Sequence, residues 1–393
     1  MMQKKSLAAL VATLFAVPFA AHADVTIYGF LSAGIESAKA VGNGTSANEY
    51  ASRTRVVDNN SRIGFKGVED LGNGTKAIWQ VESSLKNFEQ GGTNDAGQTA
   101  TFATRNTFVG LDDATFGKVL VGYNDSAYKT LTNAGIDLFQ DYTAESNGSG
   151  VGIYSRGEAR LKNSVHYFTP VWSGFQAGAS YGFDEAQTGG TDKARVSIAG
   201  NYTNGGLIAS LGYDRQADTK YLGYAAASSF TATAPTGGTT GTSAGNSISY
   251  TKLAASYKFA TGTLIGAGYE FGRFGTSTLG SGLAQDDWTI SLSQDYGAFV
   301  FKLEYSQLGQ LKGATNPDAY KAKEITVGAD YNLSKSTKLY TYYAKITNNA
   351  DQNVNFYNNT IYTTAYTGTA GSASFAATGN NPQAFGVGLK VAF

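Results

Sequence analysis

Apolar residues recur at every second position through most of the chain. In the last nine residues, FGVGLKVAF, Phe385, Val387, Leu389, Val391 and Phe393 are apolar and the residues between them are small or charged. Phe299, Phe301, Leu303 and Tyr305 interleave with Val300, Lys302, Glu304 and Ser306; Ile325, Val327, Ala329, Tyr331 and Leu333 interleave with Thr326, Gly328, Asp330 and Asn332. Trp288, Ile290 and Leu292, and Leu207, Ala209, Leu211 and Tyr213, repeat the pattern. Side chains alternate between the faces of a strand, so a period of two predicts strands with one apolar face. No segment sustains a helical period. About sixteen strands are predicted, beginning near residues 25, 61, 75, 104, 117, 160, 174, 194, 206, 247, 263, 286, 298, 324, 337 and 383.

The connections carry a second pattern. Short turns at Leu71–Gly74, Asn204–Gly205, Ala260–Gly262 and Ser334–Ser336 alternate with long polar stretches near 38–60, 86–103, 124–159, 215–246, 309–323 and 347–382. Hairpins whose two ends differ in this way suit a membrane barrel with tight periplasmic turns and long external loops. The expected fold is therefore all-β, a transmembrane 16-stranded antiparallel β-barrel. Its last strand pairs with the first (Val25–Ser37), leaving no open edge, so that the apolar face of FGVGLKVAF meets lipid. In that first strand Val25, Ile27, Leu31 and Ile35 share one face, and Thr26, Tyr28, Ser32 and Glu36 the other. A soluble solenoid would need a fixed repeat, and none is present. A soluble sandwich would bury its apolar faces, and so many strands would divide into domains.

Composition agrees with this reading. The chain has 49 Gly, 25 Tyr and 22 Phe but only 5 Pro. Its mean hydropathy is negative, as it is in barrels whose spanning segments are apolar only at alternate residues. The start, MMQKKSLAALVATLFAVPFAAHA, has Lys4 and Lys5, an apolar run from Leu7 to Ala20, and Ala21-His22-Ala23. That order predicts a secretory signal peptide over 1–23 and a barrel over 24–393; the apolar run is too short for a spanning helix. Without Lys4 and Lys5, Lys+Arg falls from 30 to 28 against 30 Asp+Glu. A slightly acidic product of this kind is no nucleic-acid binder. With no cysteine, the exported chain relies on packing and hydrogen bonds alone.

Catalytic and metal chemistry find little support. Ser164 and His166 lie two apart on one strand face, but a triad also needs an orienting carboxylate and an oxyanion hole, and no serine sits in a G-x-S-x-G turn. Among the many carboxylates nothing singles out a glycosidase-like pair. One histidine remaining after residue 23 and no cysteine exclude the usual zinc sites. Asp112-Asp113 and Asp286-Asp287 lack EF-hand spacing, and GSGVG (148–152) lacks the strand–helix context of a phosphate-binding loop. No cofactor is expected. A barrel adhesin or hydrolase acting through its long loops is the alternative from another class.

SRIGFKGVEDLGNGTKAIWQVE (61–82), RNTFVGLDDATFGKVLVGYND (105–125) and the final GLKVAF resemble the general porins of Gram-negative outer membranes. The resemblance implies a trimer whose third loop, 124–159, folds into the lumen and constricts it. It also implies contact with outer-membrane lipid and lipopolysaccharide, and recognition of Leu389, Val391 and Phe393 by the barrel insertion machinery. Residue by residue, it carries a basic wall onto Arg62, Lys66, Arg105, Arg160 and Lys162, and loop acids onto Asp137, Asp141 and Glu145. Gln140-Asp141-Tyr142 stands where several members have a Pro-Glu-Phe turn. The implied function is passive diffusion of small hydrophilic solutes and ions, the alternative being a solute-specific channel for sugars or anions. Opposed charges across a narrow aqueous passage filter solutes by size and polarity, and five basic residues against three acids lean towards anions.

Overall fold

The computed structural model describes residues 24–42, 49–85, 102–148, 152–184, 194–217, 247–275, 282–364, 374–375 and 377–393. Sixteen antiparallel strands close into a barrel. They are β1 (Asp24–Val41), β2 (Tyr50–Asp58 continued by Arg62–Gly72), β3 (Thr75–Ser84), β4 (Thr107–Asp113), β5 (Gly117–Asp125), β6 (Arg160–Phe168), β7 (Phe175–Gly182) and β8 (Arg195–Asn204). Then follow β9 (Leu207–Ala217), β10 (Ser247–Lys258), β11 (Thr263–Phe274), β12 (Leu283–Tyr296), β13 (Phe299–Leu308), β14 (Ala322–Asn332), β15 (Thr337–Asn348) and β16 (Asn381–Ala392).

Closure runs through β1 and β16, in register from Phe30 opposite Ala392 to Val41 opposite Asn381. Phe393 completes the seam, its backbone N–H donating to Gly29 O at 3.0 Å and its carbonyl accepting from Gly29 N at 3.1 Å. Phe385, Val387, Leu389, Val391 and Phe393 are all exposed on the outside, whereas Ser32, Glu36, Lys302 and Glu304 face inward and are buried. Apolar side chains outside and polar ones inside is the inverse of a soluble sandwich, and it is what a lipid exterior and an aqueous lumen select.

One boundary differs from the sequence expectation. The stretch 38–60 is not one loop: β1 runs to Val41, and Tyr50–Asp58 continues the second strand outward, so the connection spans only 42–49. The strand was hidden because it lacks an apolar row. Arg55 pairs with Glu36 across the inner face, Nε to Oε1 at 2.7 Å, and Asn60 at φ +59 interrupts the alternation between the two segments. The connections 183–194 and 275–282, which follow β7 and β11, lie mostly outside the described residues. Residues 1–23, the expected signal peptide, lie outside the described residues, as do most of 86–103 and 215–246.

Candidate functional site

The connection between β5 and β6 does not project from the barrel. It turns inward at Ser126, whose hydroxyl caps the short helix α1 (Ala127–Leu131) by accepting from Lys129 N at 3.2 Å. From there it runs along the inner wall, fixed by one strand after another. Ser180 Oγ of β7 accepts from Ala127 N, and Ser197 Oγ of β8 from Tyr128 N, both at 2.8 Å. Ser256 of β10 donates to Ala134 O at 2.6 Å, Ser291 of β12 donates to Ile136 O, and Glu304 of β13 accepts from Leu138 N at 3.2 Å and from Ser146 Oγ. The serines, threonines and glutamates on the inner strand faces thus supply partners for loop backbone that would otherwise be left unpaired.

The loop tip seats on β13–β15. The Tyr142 ring stacks on Tyr340 at 4.5 Å and lies near Tyr342 at 6.0 Å. Lys302 lies between Phe139 and Tyr142, 4.7 and 4.8 Å from their ring centres, while Asp330 accepts from both Lys302 (2.9 Å) and Lys338 (2.6 Å). The seating of Tyr142 leaves Asp141 at φ +77. A non-glycine residue there costs about 1–3 kcal/mol and persists only when its surroundings over-determine it. Here they do. The Asp141 carboxylate accepts from Asn60 at 2.8 Å and pairs with Arg62 and, at 3.2 Å, with Lys390. Both cations stack on the Phe30 ring, Arg62 at 4.6 Å and Lys390 at 3.7 Å.

The remaining wall follows the same scheme of cation against acid. Arg105 pairs with Glu82, which also accepts from Tyr28 at 3.0 Å. Arg160 pairs with Asp125 at 3.0 Å and donates to Asn106 at 2.6 Å. An open passage of about 1120 Å³ runs between wall and loop, lined among others by Arg62, Arg105, Arg160, Asp137, Asp141 and Glu145. Glu145 accepts from Asp141 N at 2.9 Å and from Asn358 Nδ2 at 2.5 Å. Burial, reinforced by the Asp141 carboxylate, pushes its carboxyl up to about 8. Asp137 is raised well above the usual carboxylate range by burial and by the nearby Glu145 and Glu304.

Two of the five expected wall cations stand apart from the lining. Lys66 lies four residues beyond Arg62, about 13 Å along the strand towards the short turns, exposed and 5.2 Å from the Tyr28 ring. Lys162 and Asn163 (φ +48) form a bulge opposite Tyr123, between the pairs Leu161–Asn124 and Ser164–Gly122. Lys162 is exposed, whereas Arg160, over the Tyr123 ring at 5.7 Å, lines the passage. The Lys162 ammonium is 5.9 Å from the same ring. The charged partners missing from the sequence reading are Lys390, Glu82 and Asp125. Alternation in FGVGLKVAF already put Lys390 on the inner face; nothing local placed it opposite a residue 249 positions away.

Ser164 and His166 are in contact, Oγ to Nε2 at 2.8 Å, but the serine hydroxyl is directed at the carbonyls of Leu161 and Gly122. The second ring nitrogen meets Ser180 at 2.7 Å, the residue that anchors Ala127. The pair sits buried beneath the loop and braces its root.

A family model described as Gram-negative porin matches residues 6–352. The chain is 39% identical over 211 residues to the major outer membrane protein P.IB of Neisseria meningitidis serogroup B, a match covering 53% of the chain and 58% of the relative. It thus spans somewhat over half the length of the curated relatives it matches. Among solved structures it is similar to an anion-selective porin from Comamonas acidovorans, with TM-score 0.68, 25% identity, and coverage of 95% of this chain and 100% of that one. It shares its fold with the trimer form of OmpT, an outer membrane protein of Vibrio cholerae, at TM-score 0.60 and 17% identity, covering 94% and 99% of the two chains.

Proposed function

Given that the chain belongs to the Gram-negative porin family of the outer membrane, we propose that it is a channel rather than an enzyme, one that passes small hydrophilic solutes and ions by passive diffusion and favours anions. The observation that carries this reading is the inward loop whose Asp141 faces Arg62 and Lys390 across the described wall.

Guanidinium groups stay charged in any pH range the barrel meets, so Arg62, Arg105 and Arg160 present permanent positive charge to the passage. The opposing acids are unequal. Asp141, Glu82 and Asp125 are each held by cations, whereas Glu145, pushed up to about 8, is largely protonated at neutral pH. The balance at the narrowest level is therefore positive. Solutes traverse down their gradient, ordered by the transverse field between wall and loop and limited in size by the loop itself. The relationship to a porin named as anion-selective supports the same sign.

Trimeric assembly is part of the proposal, supported by the OmpT trimer form and by the wide apolar exterior. So are export through the signal peptide over 1–23 and delivery to the insertion machinery through the outward Leu389, Val391 and Phe393.

The test is single-channel conductance of the refolded protein in planar bilayers, with the reversal potential measured under a salt gradient. Large steps grouped in threes with an anion-selective reversal potential are expected. A verified, folded barrel that does not conduct overturns the channel reading; a cation-selective one overturns the selectivity.

A further inference from the structure

The last long connection leaves β15 at the external end, and its first part, residues 349–361, turns back into the mouth of the barrel. Asn348, the final residue of β15, fixes the turn: its side chain donates to Val354 O at 2.9 Å and accepts from Val354 N at 3.1 Å. Asn355 closes the segment on itself, donating to Ile361 O at 2.9 Å and accepting from Ile361 N at 3.1 Å. Val354, Phe356 and Ile361 are thereby buried in one apolar cluster with Phe139 and Tyr142 of the constricting loop. The barrel wall also holds the segment, Arg55 donating to Asn359 O at 2.5 Å and to Thr360 O at 3.1 Å.

Asn358 is where this segment meets the constricting loop. Its Nδ2 donates to Tyr142 O at 3.0 Å and to Glu145 Oε2 at 2.5 Å, so both hydrogens of one amide are used there. A carbonyl and a carboxyl oxygen both accept, and only the nitrogen end of the amide fits between them. The adjoining Asn359 donates to Asn59 Oδ1 at 3.0 Å and to Thr143 Oγ1 at 2.9 Å. Tyr357 lines the passage and lies against Gly148, where an added Cβ would come within 2.6 Å of its ring. Glu145 itself has few partners. Among the described residues it forms no ion pair, and besides Asn358 only Asp141 N donates to its carboxyl. The charged and titratable groups around it are Asp137 and Asp141 of its own loop, Lys129 of α1, Glu324 of β14, and Tyr357.

We propose that Asn358 is a positioning residue of the selectivity filter: through it the last external loop, and not the constricting loop alone, fixes the Glu145 carboxyl and the Tyr142 backbone, and with them the charge presented to passing ions. The inference rests on the channel reading given above. A hydrogen bond from a neutral amide favours the ionised form of a carboxyl. Here it offsets part of the burial that pushes Glu145 up to about 8. Without the amide the carboxyl stays protonated to higher pH, and Tyr142 O keeps only its bond from Glu145 N, at 3.1 Å.

The experiment is a carboxyl-carbon NMR titration of the refolded barrel labelled at glutamate, the Glu145 signal identified by its loss in Glu145→Gln, with reversal potentials measured over the same pH range. Asn358→Ala is expected to move the midpoint of Glu145, and of the fall in anion preference, up by about one pH unit, a tenfold change in the ionisation constant. Asn358→Asp, equal in size but with an acceptor where the donor stood, is expected to move it at least as far. Asn359→Ala loosens the same seam without touching either acceptor of Asn358, and is expected to leave the midpoint in place. A midpoint unmoved by both Asn358 variants in heat-resistant, folded barrels overturns the proposal. So does an equal shift in Asn359→Ala, which would assign the effect to general loosening of the segment. A conducting barrel whose titration shifts while the pH course of its selectivity does not overturns it as well. A barrel that shows the shifted titration but does not conduct supports the positioning of Glu145 and overturns the channel reading alone.

Discussion

Replacing Lys390 by Met keeps most of the side-chain stem on the Phe30 ring and removes one positive charge from beside Asp141. The charge lies 3.2 Å from the carboxylate of Asp141, a residue of the passage lining, and its effect is worked for an ion about 5 Å away. In water a unit charge at that distance contributes about 0.8 kcal/mol, and physiological salt reduces it to about 0.5 kcal/mol. Anions lose that attraction while cations are relieved of the same repulsion, so the two changes add in the permeability ratio. The expected result is an anion-to-cation ratio lowered about fivefold, read as a reversal-potential shift towards cations under a salt gradient. Asp141→Asn is expected to move the ratio the opposite way by a similar factor, and the double variant to return close to the starting value. Both single variants must still give a heat-resistant folded barrel. A ratio unmoved by Lys390→Met, or singles that shift in the same direction, would refute the view that this pair sets the field at the narrowest level.

Three other outcomes follow from the loop's seating. A carboxyl raised in the fold is held best when protonated, so the stabilisation linked to Glu145 is present below its unfolded range near 4.3 and is lost as pH rises through about 8; anion preference is expected to fall over that interval, and Glu145→Gln to abolish the step while raising anion preference at pH 9. Tyr142→Ala removes the ring stacked on Tyr340 and exposes Lys302, at about 3–5 kcal/mol of loop seating; open-channel noise and mean conductance are expected to rise while barrel melting stays unchanged. At Gly268 an added methyl would collide with the Tyr154 hydroxyl at the loop root, so Gly268→Ala is expected to change conductance, and a channel identical to wild type would count against the loop's placement.

The period-two pattern determined most of the architecture on its own. Each spanning strand must satisfy lipid on one side and water on the other, a local demand written residue by residue, and the starts of β3, β5, β6, β10, β11 and β15 coincide with those expected for that reason. Where this two-solvent demand lapses, so did the reading. Tyr50–Asp58 projects beyond the apolar band, with no lipid-facing row to mark it, and read as loop. The alternation also oriented Arg62 and Lys390, but a face is not a height: Lys66 shares the inner face with Arg62 and is displaced along the strand, while Lys162, in a bulge opposite Tyr123, is exposed and stands off the lining that Arg160 joins.

Only the tertiary structure decided where the loop runs and which acid meets which cation. Asp137, Asp141 and Glu145 are equivalent as letters four residues apart. They became different once Tyr142 settled on Tyr340 and turned Asp141 towards Arg62 and Lys390, leaving Glu145 beneath Asn358 and the loop backbone. Such partners come from strands hundreds of residues apart, brought together by closure of the barrel. A charge pair formed only by closure leaves no periodic trace in the sequence, because it depends on register summed around the whole sheet and on nothing between neighbours in the chain.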